Sequence, residues 1–233
     1  MSRTSIVIAV DGTAASGKGT LAKLLARHWH FAHLDSGKLY RMVGMAVLDV
    51  QGNPASEADA LRGVGTIFPD LSRPERVADP RLLADTVSAA ASQVAAHAEV
   101  RAALLQLQRD FAANPPRGAE GACIDGRDIG TVVCPDATAK LFVDASPGVR
   151  AHRRWLELVS HAEPDAIPSE DAILADIVAR DTRDRTRAVA PLVPAPDADL
   201  LDTTQLDIDA AFAAALGLVS PKVEEALKAR HRG

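Results

Sequence analysis

The sequence predicts an α/β fold in which a parallel sheet is covered by helices on both faces. Two observations lead to this prediction. Short apolar runs alternate with stretches of helical periodicity along most of the 233 residues, and a glycine-rich turn separates the first apolar run from the first helical stretch. Ligands of such sheets bind beyond the carboxyl ends of the strands. Polar residues that follow the apolar runs are therefore the first candidates for a functional site.

Each element is predicted from its local pattern. Strands are expected at the apolar runs 6–10, 30–35, 121–125, 139–144 and 200–202. Helices are expected from the glycine-rich turn to Trp29, over 38–50, 147–160 and 169–180, and from 208 onward. An alanine-rich helix, or a broken pair, is expected over 81–113. Residues 51–80 are rich in Gly, Pro, Asp and Arg without periodicity, so we predict an irregular, mobile segment there, and a loop over 161–168.

The glycine-rich turn has the pattern of a phosphate-binding loop. Glycines let backbone N–H groups point inward, the following helix contributes the positive end of its dipole, and Lys18 can reach the terminal phosphates of a nucleotide. A turn that only caps a helix is the alternative. Gly19 stands where the general pattern has Ser or Thr, and Gly-Lys-Gly-Thr is typical of kinases that phosphorylate nucleoside monophosphates. The turn consists of Gly12, Thr13, Ala14, Ala15, Ser16, Gly17, Lys18, Gly19 and Thr20.

Composition and charge argue against several other functions. A net charge of −5 disfavours a general nucleic-acid or membrane surface, and no apolar run approaches the ~18 residues of a membrane helix. The first four residues lead directly into the first strand and leave no room for a signal peptide, so we expect a cytoplasmic protein. Cys123 and Cys134 lie in apolar surroundings without metal-ligand spacing and are predicted to be buried free thiols. The seven histidines are scattered, so they are predicted to be structural and no metal-ligating residues are expected.

Polar clusters follow two of the predicted strands. Ser36 and Arg41 come just after the second strand, at a helix start, which suits an incoming phosphate; a Ser cap and a surface Arg are the alternative. The third strand runs into an acidic turn with two glycines. There Arg127 would bind a phosphate and Asp128 could accept hydrogen bonds from a base amino group. Asp125 stands where enzymes with this phosphate-binding loop often keep a carboxylate that orients metal-bound water.

Residues 180–187 contain four arginines and two aspartates on an otherwise acidic protein. A solvated, self-paired helix face is one interpretation. Phosphoryl transfer, however, needs several cations around the equatorial oxygens, and Arg supplies planar bidentate contacts. Arg150, Arg153 and Arg154 follow Pro147 on a predicted helix, and the sequence leaves open whether they lie near a nucleotide or in solvent.

Together these motifs resemble the bacterial cytidylate kinases, a family of nucleoside monophosphate kinases. The resemblance implies a P-loop NTPase fold, with a five-stranded parallel sheet flanked by helices, a shortened monophosphate-binding insert and a short lid. It implies one domain over 1–233 that transfers the γ-phosphate of ATP to CMP or dCMP, acts as a monomer and uses Mg²⁺ as Mg·ATP. The segments that carry it span nearly the whole chain: 10–12, 17–20, 34–37, 40–41, 91–96, 125–133, 151–154 and 180–192.

The resemblance also implies how the domain is divided and which residues act on phosphates. The core comprises about 1–50, 114–150 and 188–233, the insert about 51–113, and the lid about 155–170, with the arginine-rich helix continuing to 187. The glycine-rich turn would hold ATP. Arg41, Arg127 and Arg187 would grip the CMP phosphate and the transferring phosphoryl group. Catalytic roles would fall to Lys18, Arg127, Arg180 and Arg187.

Recognition of the sugar and base is carried over in the same way. Ser36 and Tyr40 would line the nucleotide cleft, Arg180 and Asp184 would contact the sugar, and Asp128 would contact the cytosine.

One segment departs from the family pattern. Residues 59–90 are shorter than the family's insert and lack its Ser-Gly-x-x-Arg stretch, whose Ser and Arg read cytosine. Arg81 is the nearest candidate, but its spacing to Ser92 does not fit. A kinase for another small acceptor such as UMP is therefore one alternative, and a non-catalytic ATP-binding regulator is another.

Overall fold

The computed structural model describes residues 5–70, 78–160 and 167–232. The first four residues, residues 71–77 of the segment predicted to be irregular, and residues 161–166 of the predicted loop lie outside this range. The chain divides into two compact units, one formed by residues 1–34 and 112–233 and the other by residues 35–111.

A five-stranded sheet forms the centre of the first unit, as predicted. The strands are β1 (Ile6–Gly12), β2 (Ala32–Asp35), β3 (Gly121–Gly126), β4 (Ala139–Asp144) and β5 (Asp199–Asp202). The central strand β1 pairs in parallel with β3 and β4, and β4 pairs in parallel with β5. The strand order is β2-β3-β1-β4-β5. Because β1 is flanked on both sides by parallel strands, the carboxyl ends of three strands meet at the start of the glycine-rich turn.

Helices complete the first unit. The helix α1 (Lys18–His28) follows the turn, and the other helices are α6 (Pro147–Val159), α7 (Glu170–Thr186) and α8 (Ile208–Arg232). Buried side chains of β1, α1 and α8 share one apolar cluster with those of β4, in which Leu25, Ala215 and Val219 are fully buried. This cluster anchors the helix whose first turn faces the glycine-rich turn. A 3₁₀ turn (Pro116–Gly118) precedes β3.

The second unit is built around α2 (Ser36–Asp49), which packs against α3 (Glu57–Asp70) and α4 (Asp85–Val94). A Cβ at Gly44 would lie 2.9 Å from the backbone nitrogen of Ala91. Glycine therefore permits the close approach of α2 and α4. A 3₁₀ turn (Pro80–Leu83) precedes α4, and α5 (Ala98–Ala113) follows it.

Two sequence-based boundaries need correction, and one alternative is decided. The segment 51–80 is not irregular throughout, because α3 occupies residues 57–70. Ala60, Val64 and Ile67 lie on one face of α3 and are buried, so packing outweighs the low helix propensity of the glycines between them. The 81–113 region is a 3₁₀ turn and two helices, which agrees with the broken-pair alternative. Finally, α7 continues to Thr186 rather than ending near Arg180.

Candidate active site

The glycine-rich turn forms a tight loop between β1 and α1. A Cβ at Gly12 would lie 1.9 Å from the carbonyl oxygen of Val143, so only glycine fits there. Gly17 has a φ of +87°, and Ala15, although not glycine, has a φ of +56°. The Nζ of Lys18 donates to the carbonyl oxygen of Thr13 at 3.1 Å. The lysine ammonium therefore lies over the loop, as the phosphate-binding prediction requires.

Three neighbouring elements hold this loop from outside. The Thr13 hydroxyl donates to Asp144 Oδ1 at 2.6 Å, at the end of β4. The Thr203 hydroxyl, just after β5, donates to the carbonyl oxygen of Ser16 at 3.2 Å. Arg150 Nη1 on α6 donates to the carbonyl oxygen of Ala14 at 2.9 Å. These bonds orient the loop before any ligand binds, which lowers the entropic cost of forming a phosphate cradle.

The sequence leaves open whether the arginines of α6 lie near a nucleotide or in solvent. For Arg150, the interpretation as a solvent-exposed side chain is wrong. Its side chain is 2% exposed, and its Nη2 pairs with Asp181 Oδ2 at 2.6 Å. Arg153 donates to the carbonyl oxygens of Thr203 and Leu206. Arg154 pairs with Glu157 on its own helix. Arg150 thus joins the phosphate-binding loop to α7, the helix that carries the arginine-rich segment.

The acidic turn after β3 is fixed by a carboxylate that sequence reasoning missed. Asp11, the penultimate residue of β1, accepts hydrogen bonds from the backbone N–H groups of Ile129 (2.8 Å) and Gly130 (2.7 Å). These donors begin a single π-helical turn (Ile129–Val133) that directly follows Arg127 and Asp128. An acidic residue at the end of an otherwise apolar strand was the available signal. Asp11 therefore sets the position of two candidate substrate-binding residues.

Burial raises the pKa of Asp11 to about 6, from an ordinary value of 3.8, although its two backbone hydrogen bonds act in the opposite direction. In the folded protein the Asp11 carboxyl group thus keeps its proton up to about pH 6, whereas in the unfolded chain it loses the proton at about pH 4. Because the folded state binds the proton more tightly, this group makes the wild type lose stability as the pH rises between those values.

We expect the Asp11→Asn variant to lack this pH dependence. The difference in unfolding free energy, wild type minus variant, should fall by about 2 kcal/mol from pH 4 to pH 6 and stay constant above about pH 7. Urea denaturation of both proteins across this range measures the difference. A difference that rises with pH, or does not change, would contradict the assignment.

Arginines surround a buried carboxylate at the end of α7. Asp184 is 4% exposed, and its Oδ2 accepts from Arg127 Nε at 2.9 Å. Burial alone would raise the pKa of Asp184, but the charges of Arg127, Arg180 and Arg187 outweigh it and lower that pKa. The structure thus brings together three of the four residues predicted to be catalytic. The interpretation as a solvated face fits Arg183 and Arg185, which are exposed, but not the buried Asp181 and Asp184.

A second carboxylate lies beside the first turn of α1. Asp125 is buried near the end of β3, and its Oδ1 is 2.8 Å from His33 Nε2 on the neighbouring strand β2. A Cβ added to Gly19 would lie 3.5 Å from Asp125 Oδ2, an ordinary contact distance. Asp125 therefore presents one oxygen toward the start of the helix that follows the phosphate-binding loop. Asp128, three residues further on, is also buried.

The predicted residues of the second unit lie at the start of α2 and on it. Asp35 caps this helix by accepting from the Lys38 backbone N–H at 3.0 Å, so the alternative reading of Ser36 as the cap is wrong. Ser36 and Tyr40 are both buried. Arg41 Nη1 donates to the carbonyl oxygen of Leu82 at 3.3 Å.

Arg81, the nearest substitute for the family's base-reading Arg, is engaged with carboxylates. It pairs with Asp79 and Asp49, both at 2.9 Å. These contacts place its guanidinium at an exposed position of the second unit.

Three further observations concern the cysteines, clusters of metal-ligating side chains and membrane-spanning helices. Cys123 is buried, as predicted, and this burial raises the pKa of its thiol, whereas Cys134 is only half-buried. Across residues 5–70, 78–160 and 167–232, no cluster of three or more His, Cys, Asp or Glu side chains is arranged to hold a metal ion. Within the same residues, none of the helices has the length and apolar character needed to cross a membrane.

Comparison with known proteins agrees with this arrangement. The family model described as cytidylate kinase matches residues 8–220. A cytidylate kinase of Rhodopseudomonas palustris strain TIE-1 is 52% identical over 227 residues, which cover 97% of this chain and 99% of the relative. One of Rhodospirillum rubrum is 50% identical over 220 residues, covering 94% and 100%. An uncharacterized protein from Eubacterium ventriosum shares the fold, with a TM-score of 0.52 and 13% identity over 92% of this chain and 98% of its own. On its sequence, this chain belongs to the cytidylate kinase family.

Proposed function

We propose that this protein transfers the γ-phosphate of ATP to CMP or dCMP. The observation that carries the proposal is the gathering of Arg127, Arg180 and Arg187 around Asp184, in the same compact unit as the phosphate-binding loop. A loop alone would support nucleotide binding. Phosphoryl transfer also needs positive charge around the equatorial oxygens of the transferring group, and the arginines around the buried carboxylate supply that charge. Family membership supports the choice of acceptor.

On the donor side, residues 12–20 bind the ATP phosphates through backbone N–H groups, and the Lys18 ammonium leaves the carbonyl of Thr13 to bind phosphate oxygens. Mg²⁺ prefers oxygen ligands and keeps several waters when it is bound with nucleotide phosphates. The hydroxyl of Thr20 and the carboxylate of Asp125 fit this preference, and Asp125 presents an oxygen to the first turn of α1. When bound, Mg²⁺ neutralises charge on the β- and γ-phosphates.

On the acceptor side, Arg41, Arg127 and Arg187 bind the phosphate of CMP and the transferring group. Arg127 is held by Asp184 without substrate, so its guanidinium is already oriented. Within the second unit, the burial of Ser36 and Tyr40 agrees with their lining an enclosed nucleotide cleft.

The remaining contacts select the sugar and the base. Arg180 and Asp184 bind the ribose, and Asp128 accepts from the exocyclic amino group of cytosine. The buried position of Asp128 supports this role, since a buried acceptor discriminates strongly between ligands that do and do not donate a hydrogen bond to it.

The reaction needs no strong general base, because the attacking group is already an anionic phosphate oxygen. The residues of the site therefore act by holding the two phosphates in line and by stabilising the charge that develops between them. Residues 155–170 would form a lid, continued by the arginine-rich helix to residue 187. Closure of this lid would exclude water and prevent ATP hydrolysis. Arg150 supports this role, since it ties α7 to the phosphate-binding loop.

The same proposal covers the division of the chain. Residues 51–113 serve as the monophosphate-binding insert, and residues 51–111 of it fall in a compact unit that begins at residue 35. The protein acts as a cytoplasmic monomer.

A coupled assay of ADP release with Mg·ATP and CMP, dCMP, UMP, AMP or GMP tests the proposed function. We expect turnover with CMP and dCMP and little with the purines. Comparable turnover with UMP would keep the mechanism but assign relaxed base choice to residues 59–90, where the family's Ser-Gly-x-x-Arg stretch is missing. ATP binding without turnover on any acceptor would contradict the proposal and favour a regulator.

A further inference from the structure

The contact between His33 and Asp125 is not used by the transfer mechanism above. His33 lies on β2 and Asp125 on the neighbouring strand β3, near the edge of the sheet where the phosphate-binding loop begins. His33 Nε2 is 2.8 Å from Asp125 Oδ1, and the side chains are 20% and 6% exposed. An imidazole Nε2 that carries its proton donates and a carboxylate oxygen accepts, so in that tautomer His33 donates this hydrogen bond to Asp125.

The bond has a geometric consequence for the other carboxylate oxygen. The terminal torsion of an Asp side chain is broad and roughly two-fold, so a carboxylate swings easily about it. A donor on Oδ1 restricts this swing and leaves Oδ2 facing the first turn of α1, 3.5 Å from the position of a Gly19 Cβ. That turn carries Lys18 and Thr20, the side chains nearest to the bound phosphates.

We propose that His33 is a positioning residue for the metal-nucleotide complex. By donating to Oδ1, it orients Asp125 so that Oδ2 accepts a hydrogen bond from a water on the Mg²⁺ of the bound nucleotide. This inference rests on the proposed function, which supplies the Mg·nucleotide. His33 itself touches neither metal nor nucleotide and acts through Asp125. Mutation of a residue that orients another group at a metal site lowers metal affinity or activity by about 10–100-fold.

Nucleotide binding with and without the metal tests this role directly. The dissociation constant of ADP is measured by calorimetry in EDTA and in excess MgCl₂, and the ratio of the two is the Mg²⁺ enhancement. In His33→Leu we expect the enhancement to fall about 10-fold while binding of metal-free ADP is unchanged. His33→Gln, whose side-chain amide can donate at a similar reach, should restore most of the enhancement. His231→Leu, which removes an exposed imidazole at the end of α8, is the matched control and should leave it unchanged.

A double-mutant cycle separates positioning from a general structural effect. Asp125→Asn should also reduce the enhancement, and adding His33→Leu to it should cost less than about 2-fold more, since both act through one contact. The proposal would be overturned if His33→Leu lowered the Mg²⁺ enhancement equally in wild type and in Asp125→Asn. It would also be overturned if His33→Leu alone left the enhancement unchanged. Either result would leave the proposed function standing. If wild type shows no Mg²⁺ enhancement at all, the role of His33 is contradicted, and the turnover assay with CMP decides the proposed function separately.

Discussion

The Lys18→Ala variant is expected to lose about 10²–10³-fold in kcat while remaining folded. Lys18 is the side chain of the loop that can place a full positive charge on the phosphate being transferred. Its Nζ donates to the backbone carbonyl oxygen of Thr13 at 3.1 Å. Losing one hydrogen bond costs about 1 kcal/mol of stability. The missing charge is felt mainly in the transition state, so kcat should fall more than nucleotide affinity does.

Lys23→Ala provides the matched control for this experiment. Lys23 lies on α1, five residues further on, and its side chain is exposed. Both variants lose one lysine charge, but only Lys18 belongs to the phosphate-binding loop. Steady-state kinetics with Mg·ATP and CMP, together with thermal melting, distinguish the two. An unchanged kcat in Lys18→Ala, or equal losses in both variants, would remove the loop from the reaction.

The parts of the fold that could be predicted are those governed by local pattern. The strand, glycine-rich turn and helix around Lys18 form a continuous stretch in which each residue type has a local reason, and the structure places all of it as expected. The bounds of β4 follow from a similar local pattern, whereas the order of the strands in the sheet, β2-β3-β1-β4-β5, does not. The helix α3 was missed because Gly63 and Gly65 interrupt its propensity. Its buried face shows that tertiary packing decided the outcome.

The contacts that shape the site could not be predicted, because they join residues far apart in sequence. Arg150 bonds to a loop carbonyl 136 residues away, and Asp11 bonds to backbone groups 118 and 119 residues away. Arg127 and Asp184 were both candidates, but nothing in their local sequence indicated that they are partners 57 residues apart. The sequence predicts a structural role for His33, since a lone histidine carries no pattern that reveals a carboxylate on the next strand.

Arg187→Ala is expected to produce the other large loss, about 10³-fold in kcat, with weaker CMP binding. Arg187 directly follows α7, and its charge is one of three that keep Asp184 ionised despite burial. In the proposed function, removing Arg187 takes a cation from the transferring phosphoryl group, and it also weakens the positive field around Asp184. A residue bound to the transferring group should affect kcat and the KM for CMP together, with little change in the KM for ATP.

The exposed Arg183 on the same helix supplies the comparison, since Arg183→Ala removes an equal charge outside the cluster around Asp184. We expect Arg183→Ala to keep near-wild-type kcat. Kinetics in which each substrate is varied in turn, with CMP binding measured separately, resolve the two variants. An effect of Arg187→Ala confined to the KM for ATP would move this arginine to the donor side. The gathering of three arginines around one buried carboxylate would then serve stability rather than binding of the acceptor phosphate.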